Sequence, residues 1–407
     1  MNSTLVCLSK QVMCKDEQST ALDVEIADSI DACKRLREPW LELSRRTNAL
    51  PPNVNPDRFL ATLQAMGPKV NPYIVIFRNA GVPRAMIVAR KSGGRSISQL
   101  GYLRIPSPSV KSLDIVYGGL LASDEAGARS VANHIAMLLT KRIVDRVLVN
   151  HLAMNSLPYR EIACHADITR ALRIERTEPH WVIKPDSADP EFGLSSLSSR
   201  TRRTLRRERR KIEKTLGSVH VDLLGRRRDV DRIIDWAAQI TSVTFHDKLG
   251  NPFRDAAIWR YPLELEADRD ALCAVFMLAQ TQPIAFFIGS LHANTLFLDA
   301  TGYLPQHAAY SPGKHLLLWL IRHCAAERIE TIDLGFGDAE YKRVFGTHHW
   351  AEQSIRLYGR SVRGMAAWIT NAMTTRGATR LQATANRLGI ARRIKNAWRW
   401  SMTRVHS

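Results

Sequence analysis

Apolar runs and amphipathic stretches follow one another along this chain in an order that occurs twice. Asn71 to Arg90 carries an apolar run (Tyr73 to Phe77), a turn at Asn79 to Gly81, Pro83 and a second run (Ala85 to Ala89), which is the pattern of a β-hairpin. Two hundred residues later Leu272 to Leu278, Ala279 to Gln282, Pro283 and Ala285 to Ile288 repeat it, with Pro283 matching Pro83 and Ala285 matching Ala85. Each hairpin is preceded by a helical stretch holding a tryptophan, Asp31 to Ser44 with Trp40 and Asp229 to Ile240 with Trp236. The chain therefore reads as a tandem duplication of one α/β module, joined by the Pro-, Gly- and Ser-rich connector Lys184 to Ser199.

The copies diverge after the hairpin. The second continues through a strand, Thr295 to Ala300, into Tyr310-Ser-Pro-Gly-Lys-His315, then a helix, then a strand from Thr331 to Phe336. The first continues through Ser112 to Leu121 and a helix around Ala128 to Thr140, with no comparable Pro-Gly junction, so chemistry is expected in the second copy. Leu317, Leu320, Ile321 and Cys324 have helical spacing, and Ser311-Pro312 supplies a cap candidate and a first-turn proline. A helix start of this kind offers unpaired N–H groups and a positive dipole end to a phosphate, with Gly313 allowing close approach and Lys314 adding charge. In Thr331-Ile-Asp-Leu-Gly-Phe-Gly-Asp338, strand alternation places Ile332, Leu334 and Phe336 on one face and Asp333 on the other. Asp338, Tyr341 and Lys342 then gather ionisable groups near the strand's carboxyl end, where ligands of open α/β sheets sit.

Composition narrows the classes. The 407 residues are 45% apolar and 24% charged, which fits a folded protein of two or three domains and excludes fibrous or low-complexity chains. No apolar run approaches the length of a membrane-spanning helix, and Met1 to Lys15 lacks the layout of a secretory signal, so a cytoplasmic location is expected. Six scattered cysteines without a C-x-x-C pair argue against a disulfide framework or a zinc site. The net charge of +19 is concentrated: Arg200 to Lys214 holds nine Lys or Arg against two Glu, and Arg360 to Ser407 holds ten with no Asp or Glu. The first run reads as a basic amphipathic helix, either a solvated face or a contact for phosphate, anionic lipid or an acidic substrate. In the second, Met365, Trp368, Ile369 and Met373 form an apolar seam, and Gly377 and Gly389 are expected to divide it into short helices. That seam suits either an interfacial helix on an anionic membrane, on the inner face of the cell membrane, or a helix docked on the protein itself.

Three blocks, Leu197 to Arg210 (LSSRTRRTLRRERR), Tyr310 to Ile321 (YSPGKHLLLWLI) and Ile332 to Gly346 (IDLGFGDAEYKRVFG), resemble the cellulose-biosynthesis CelD-type (BioF2-like) acetyltransferase domain of the GNAT superfamily, related to the Fem aminoacyltransferases. The resemblance spans about Ser195 to Gly359, and order and spacing make the three blocks together more specific than any one. It implies a mixed α/β fold of two tandem GNAT-like domains. The boundaries expected are residues 1–20 as an N-terminal tail, 21–186 as a degenerate GNAT-like domain, 187–360 as the catalytic one and 361–407 as a basic helical tail.

The resemblance further implies transfer of an acyl group from acetyl-CoA or another acyl-CoA, without a metal, to an amine or hydroxyl of a sugar, polysaccharide or cell-envelope precursor. Ser311, Pro312, Gly313, Lys314 and His315 occupy the position of the family's pyrophosphate loop, although the common Gln or Arg and paired small residues are missing. Asp333 or Asp338 is then the candidate base, Tyr341 the proton donor to sulfur and Lys342 a charge-stabilising contact, with His246 an alternative base. Two other readings remain: a Fem-like aminoacyl-tRNA-dependent transferase, in which the helix from Arg200 binds tRNA, and a non-catalytic membrane-surface accessory of polysaccharide biosynthesis.

Overall fold

The computed structural model describes residues 22–47, 51–100, 103–189, 192–195, 197–243 and 256–387. The first half runs β1 (Asp23–Ala27), α1 (Ile30–Arg35), α2 (Arg37–Arg46), α3 (Pro56–Met66), β2 (Val70–Asn79), β3 (Val82–Leu100), β4 (Leu103–Ala122), α4 (Glu125–Thr140), β5 (Arg146–Ala153), α5 (Leu157–Cys164), α6 (Ala166–Thr169) and β6 (Leu172–Ile183). After the connector come α7 (Ser199–Leu216), β7 (Val219–Leu224), α8 (Val230–Ser242), α9 (Ala256–Ala267), β8 (Leu272–Ala279), β9 (Gln282–His292) and β10 (Thr295–Tyr303). A 3-10 turn at Pro305–Tyr310 then leads to α10 (Pro312–Ala326), β11 (Thr331–Phe336), α11 (Glu340–Phe345), β12 (His348–Tyr358) and α12 (Val362–Arg387).

The described strands form one mixed sheet flanked by helices, in the order β1-β2-β3-β4-β5-β12-β6-β11-β10-β9-β8-β7. Read from its two ends, this order is the same pattern twice. Four antiparallel strands are followed by a parallel partner, β4 with β5 in one half and β10 with β11 in the other. The hairpins match in detail: Phe77 pairs with Ala85 and Arg78 with Pro83, just as Met277 pairs with Ala285 and Leu278 with Pro283, and each ladder slips at the proline. Proline lacks an N–H to give to the ladder, so the slip falls there in both copies.

The last strand of each half crosses over. β6 pairs with β11, β12 pairs with β5, and the two exchanged strands pair with each other at the centre of the sheet. Their side chains follow: Ile183 of β6 lies in the core formed by α8, β8 to β11 and α10, while Ile355 and Leu357 of β12 lie in the core of α4 and β2 to β5. A second contact between the halves is ionic. Arg58 of α3, 8% exposed, donates to Glu266 of α9 (3.1 Å), Ser290 of β9 (2.7 Å) and Asp299 of β10 (2.8 Å).

The C-terminal helix differs from expectation in two ways. α12 runs uninterrupted through Gly377, because one glycine costs a helix only about 1 kcal/mol relative to alanine; Gly389 lies outside the described residues. Its inward face is made mostly of small and polar residues, and of the expected seam only Trp368 turns toward the core, against Val110, Tyr358 and Ala367. Gly364, Ala367, Asn371 and Thr374 are buried, whereas Met365, Ile369 and Met373 are exposed. The approach is too close for larger residues: a Cβ on Gly364 would stand 2.3 Å from the Gly359 carbonyl oxygen.

The exchange makes a prediction. Leu357→Ala, in a strand that follows the second half in sequence, should cost about 2–5 kcal/mol and quicken amide hydrogen exchange first in β5 and α4. Loss of protection first in β8 and β9 would contradict the packing described.

Candidate active site

In the second half, β10 and β11 are paired only from Thr295 with Thr331 to Phe297 with Asp333, after which they part. Just past that point β10 carries a bulge at Asp299, between Leu298 and Ala300. The Asp299 side chain is 23% exposed while the residue as a whole is exposed, so the bulge backbone faces open space. Opposite it, β11 slips against β6 between Asp333 and Gly335, with Gly335 in the left-handed region at φ 70°. The slip breaks the expected alternation. Ile332 and Leu334 are buried, but Phe336 is 45% exposed and stacks on His151 of β5 with ring centroids 3.4 Å apart.

Asp333 is 7% exposed, and its Oδ1 accepts from the Gly335 N–H (2.7 Å) and meets His180 Nε2 at 2.8 Å. His180, on β6, is fully buried, and its Nδ1 lies 3.2 Å from Glu352 Oε2 on β12. Glu352 also accepts from the Trp350 indole N–H (2.9 Å) and the Tyr117 hydroxyl of β4 (3.3 Å), and the Trp350 ring stacks on His180 at 4.4 Å. Burial alone would lower the His180 pKa, but the hydrogen bonds with Asp333 and Glu352 outweigh it and raise it to about 9. At neutral pH the imidazolium therefore stands between two carboxylates and ties β6, β11 and β12 together.

Lys342 of α11, 7% exposed, donates from Nζ to the Phe336 carbonyl (2.6 Å). Burial pushes its pKa down to about 8 against the opposing influence of Asp333 and Glu178. Tyr341 is partly buried against the second-half core, and desolvation raises its pKa to about 12, so its hydroxyl keeps its proton at neutral pH. Asp338 is exposed and receives a hydrogen bond from Arg343 (2.6 Å), which places it in a surface ion pair away from the buried Asp333–His180 group. His246 lies outside the described residues.

The start of α10 differs from the expectation in its route and its cap. The 3-10 turn intervenes after β10, and Ser311 takes a left-handed conformation (φ 51°, ψ 47°) in which its side chain makes no cap hydrogen bond. Ser311 N–H bonds to Ala308 O (3.2 Å), Lys314 N–H to Ser311 O (2.9 Å), and Pro312 has no N–H, so Gly313 supplies the amide this turn leaves open. A Cβ on Gly313 would meet only Tyr303 Cδ1, at 3.9 Å. Lys314 pairs with Glu340 (2.7 Å). His315 is buried, and burial followed by the Arg209 charge pushes its pKa down to about 4, so it is a neutral packing residue at the site rather than a cation.

The equivalent helix of the first half is closed to anions. The Asp124 side chain of α4 caps the Gly127 N–H at 2.7 Å, Glu125 follows, and a Cβ on Gly127 would stand 2.9 Å from the Arg84 carbonyl oxygen. An uncapped start with an accessible glycine exists in α10 and not in α4. α7 lies against the 3-10 turn before α10. Its Arg203, Arg206, Arg207, Arg210, Lys211 and Lys214 are exposed together on the face opposite Leu205 and Ile212. On its inner side Leu205 and Ile212 are buried, and Arg202 holds the connector through the carbonyls of Ser195 (3.1 Å) and Leu197 (2.9 Å).

The motifs thus bring Asp333, Tyr341 and Lys342 to one strand end but give no sign of Tyr117, His180, Asp299 or Glu352. These residues sit on strands far apart in sequence; the exchange of β6 and β12 brings Tyr117, His180 and Glu352 together with Asp333, and the bulge of β10 places Asp299 where β10 and β11 part.

Residues 199–343 match the family model described as an acetyltransferase (GNAT) domain. That span contains α7, the β10–β11 divergence, the start of α10 and the Asp333 to Lys342 block. No curated protein matches the chain. Among solved structures, a tandem GNAT protein from the clavulanic acid biosynthesis pathway is 12% identical over 83% of this chain and 100% of its own, with a TM-score of 0.49. A conserved protein of unknown function from Bacteroides thetaiotaomicron is 10% identical over 83% and 100%, with a TM-score of 0.47. FemX is 8% identical over 73% and 90%, with a TM-score of 0.46.

The His180 cluster predicts a pH-dependent stability. A histidine whose pKa is raised on folding contributes most below its unfolded value of about 6.5, and the contribution fades as pH rises through about 9. His180→Gln should therefore cost about 3–5 kcal/mol at pH 6, and the gap to the unsubstituted protein should narrow steadily toward pH 9.5 in urea unfolding. A gap that stays constant or widens over that range would contradict a charged His180.

Proposed function

We propose that this protein is an acyl-CoA-dependent acyltransferase whose reaction takes place at the carboxyl ends of β10 and β11. The observation that carries the reading is the open start of α10 beside two diverging parallel strands, in the half that matches an acetyltransferase domain, while the corresponding helix start in the other half is filled by Asp124.

The residues present fit a coenzyme A ester. The Gly313 amide and the dipole of α10 suit its pyrophosphate. The edge of β10 beyond Phe297 has no strand partner on the β11 side, so its amides are available to a carbonyl oxygen that gains charge. Tyr341, protonated at neutral pH, supplies a proton to the departing sulfur.

For the base, Lys342 replaces the carboxylates as the favoured group. Asp338 is bound to Arg343 at the surface, and the Asp333 Oδ1 is already occupied by His180 and the Gly335 N–H. A lysine with a pKa near 8 is close to the operating pH, where general-base catalysis is most effective. In this mechanism Lys342 takes the proton that the acceptor loses and Asp333 orients the acceptor. We take the acceptor to be an amine or hydroxyl of a sugar, polysaccharide or cell-envelope precursor, a class supported by the resemblance of the three sequence blocks.

Acetyl-CoA at millimolar concentration should raise the thermal midpoint by several degrees, since a ligand at 100 times its Kd stabilises by about 2.7 kcal/mol. Gly313→Ala should keep the shift and Gly313→Glu should abolish it without lowering the midpoint of the free protein, because a carboxylate suits a helix start. Absence of any shift would overturn the reading. The exposed cationic face of α7 favours one alternative, aminoacyl transfer from tRNA; salt-sensitive tRNA binding with no response to acetyl-CoA would select it.

With an acceptor found by screening radiolabelled acetyl-CoA, kcat/KM should rise with pH around an apparent pKa of about 8. Lys342→Arg, which cannot lose its proton, should reduce it by about 10²–10⁴-fold and remove that limb of the profile. A profile unchanged in the variant would return the role of base to Asp333.

A further inference from the structure

The outward face of α12 is apolar without covering anything. Val362 is 80% exposed, Met365 40%, Ile369 49% and Met373 70%. At about 100° per residue these four fall within an arc of about 80°, roughly opposite the face carried by Gly364, Ala367, Asn371 and Thr374. The helix is therefore held against β3, β4, β6 and β12 by its small side together with Trp368, and presents an aliphatic stripe to the outside. Isolated exposed apolar residues are ordinary, but a row along one helix face marks an interaction surface.

The charge that the sequence carries from the start of this helix onward selects the partner. From Arg360 to Ser407 the chain has ten Lys or Arg and no Asp or Glu, and Arg360 and Arg363 are exposed at the start of the helix. An apolar protein surface would be matched by the stripe but not by this charge, and a polyphosphate chain by the charge but not by the stripe. An anionic bilayer surface matches both, since its acyl boundary receives aliphatic side chains while its headgroups attract cations. Among the described residues no helix is long and apolar enough to cross a membrane.

We infer that the outer stripe of α12, in a stretch of sequence that carries only positive charge, is a docking face for an anionic lipid bilayer. It holds the protein at a membrane surface by burying Val362, Met365, Ile369 and Met373 at the headgroup boundary.

The test uses the full chain and vesicles of phosphatidylcholine with or without 30% phosphatidylglycerol. The protein should sediment with the anionic vesicles and at least tenfold less with the neutral ones, and binding should fall several-fold in 0.5 M NaCl. The triple substitution Met365→Gln, Ile369→Gln and Met373→Gln keeps the charge and changes only exposed positions. It should reduce binding to anionic vesicles at least tenfold while leaving the far-ultraviolet circular dichroism and the acetyl-CoA response unchanged. Ile369→Trp should show blue-shifted fluorescence on binding that brominated lipid quenches. Equal binding of the triple variant would overturn the proposal, because charge alone would then account for attachment. Failure of the native chain to bind anionic vesicles, with or without binding to an RNA duplex, would overturn it as well. None of these readouts depends on acyl transfer, so the proposal and the enzymatic reading fail separately.

Discussion

A histidine with no access to solvent, held between two carboxylates, is the arrangement on which the centre of this molecule depends. His180 comes from β6, Asp333 from β11 and Glu352 from β12, three neighbouring strands drawn from both halves of the chain. Buried charges are stabilising only when geometry and hydrogen bonds are nearly complete, and here the indole of Trp350 and the hydroxyl of Tyr117 supply further donors to Glu352. Shifting either exchanged strand by one residue would turn its polar group to the other face and leave a buried charge unpaired. The cluster therefore sets register at the seam, and with it the position of Asp333 at the end of β11.

The seam has consequences on both sides. In the second half the separation of β10 from β11 leaves strand edges unpaired, and the bulge at Asp299 is held from the first half by Arg58. In the first half, Phe336 emerges from β11 and lies on His151, which itself takes a left-handed conformation at φ 45°. The two halves thus share one sheet, one core in each is completed by the other half's last strand, and the half whose helix start is closed by Asp124 still shapes the open site of its partner.

Much of this architecture was legible as pattern. Hairpins announce themselves through local alternation and a proline at a fixed place, which is why Pro83 and Pro283 located equivalent strands and slips. The helix after Gly313 was visible from four apolar positions, and the Asp333 to Lys342 block from its order. Phe336 was misplaced because alternation assumes an unbroken ladder, and a glycine at positive φ allowed the strand to slip. The α12 seam was left open between two sides for a related reason: periodicity finds an apolar face but does not say which way it turns, and the tight fit at Gly364 gave most of the inward place to small residues.

Local order in the chain was sufficient to determine the duplicated module, the hairpins, the helix starts and the concentration of positive charge, because each depends on residues within a turn or two of one another. Which final strand completes which half, and so the meeting of His180 with Asp333 and Glu352, was decided only in three dimensions. Those side chains are separated by more than a hundred residues on one side of the cluster, and their attraction exists only once burial has removed the water that would otherwise screen it.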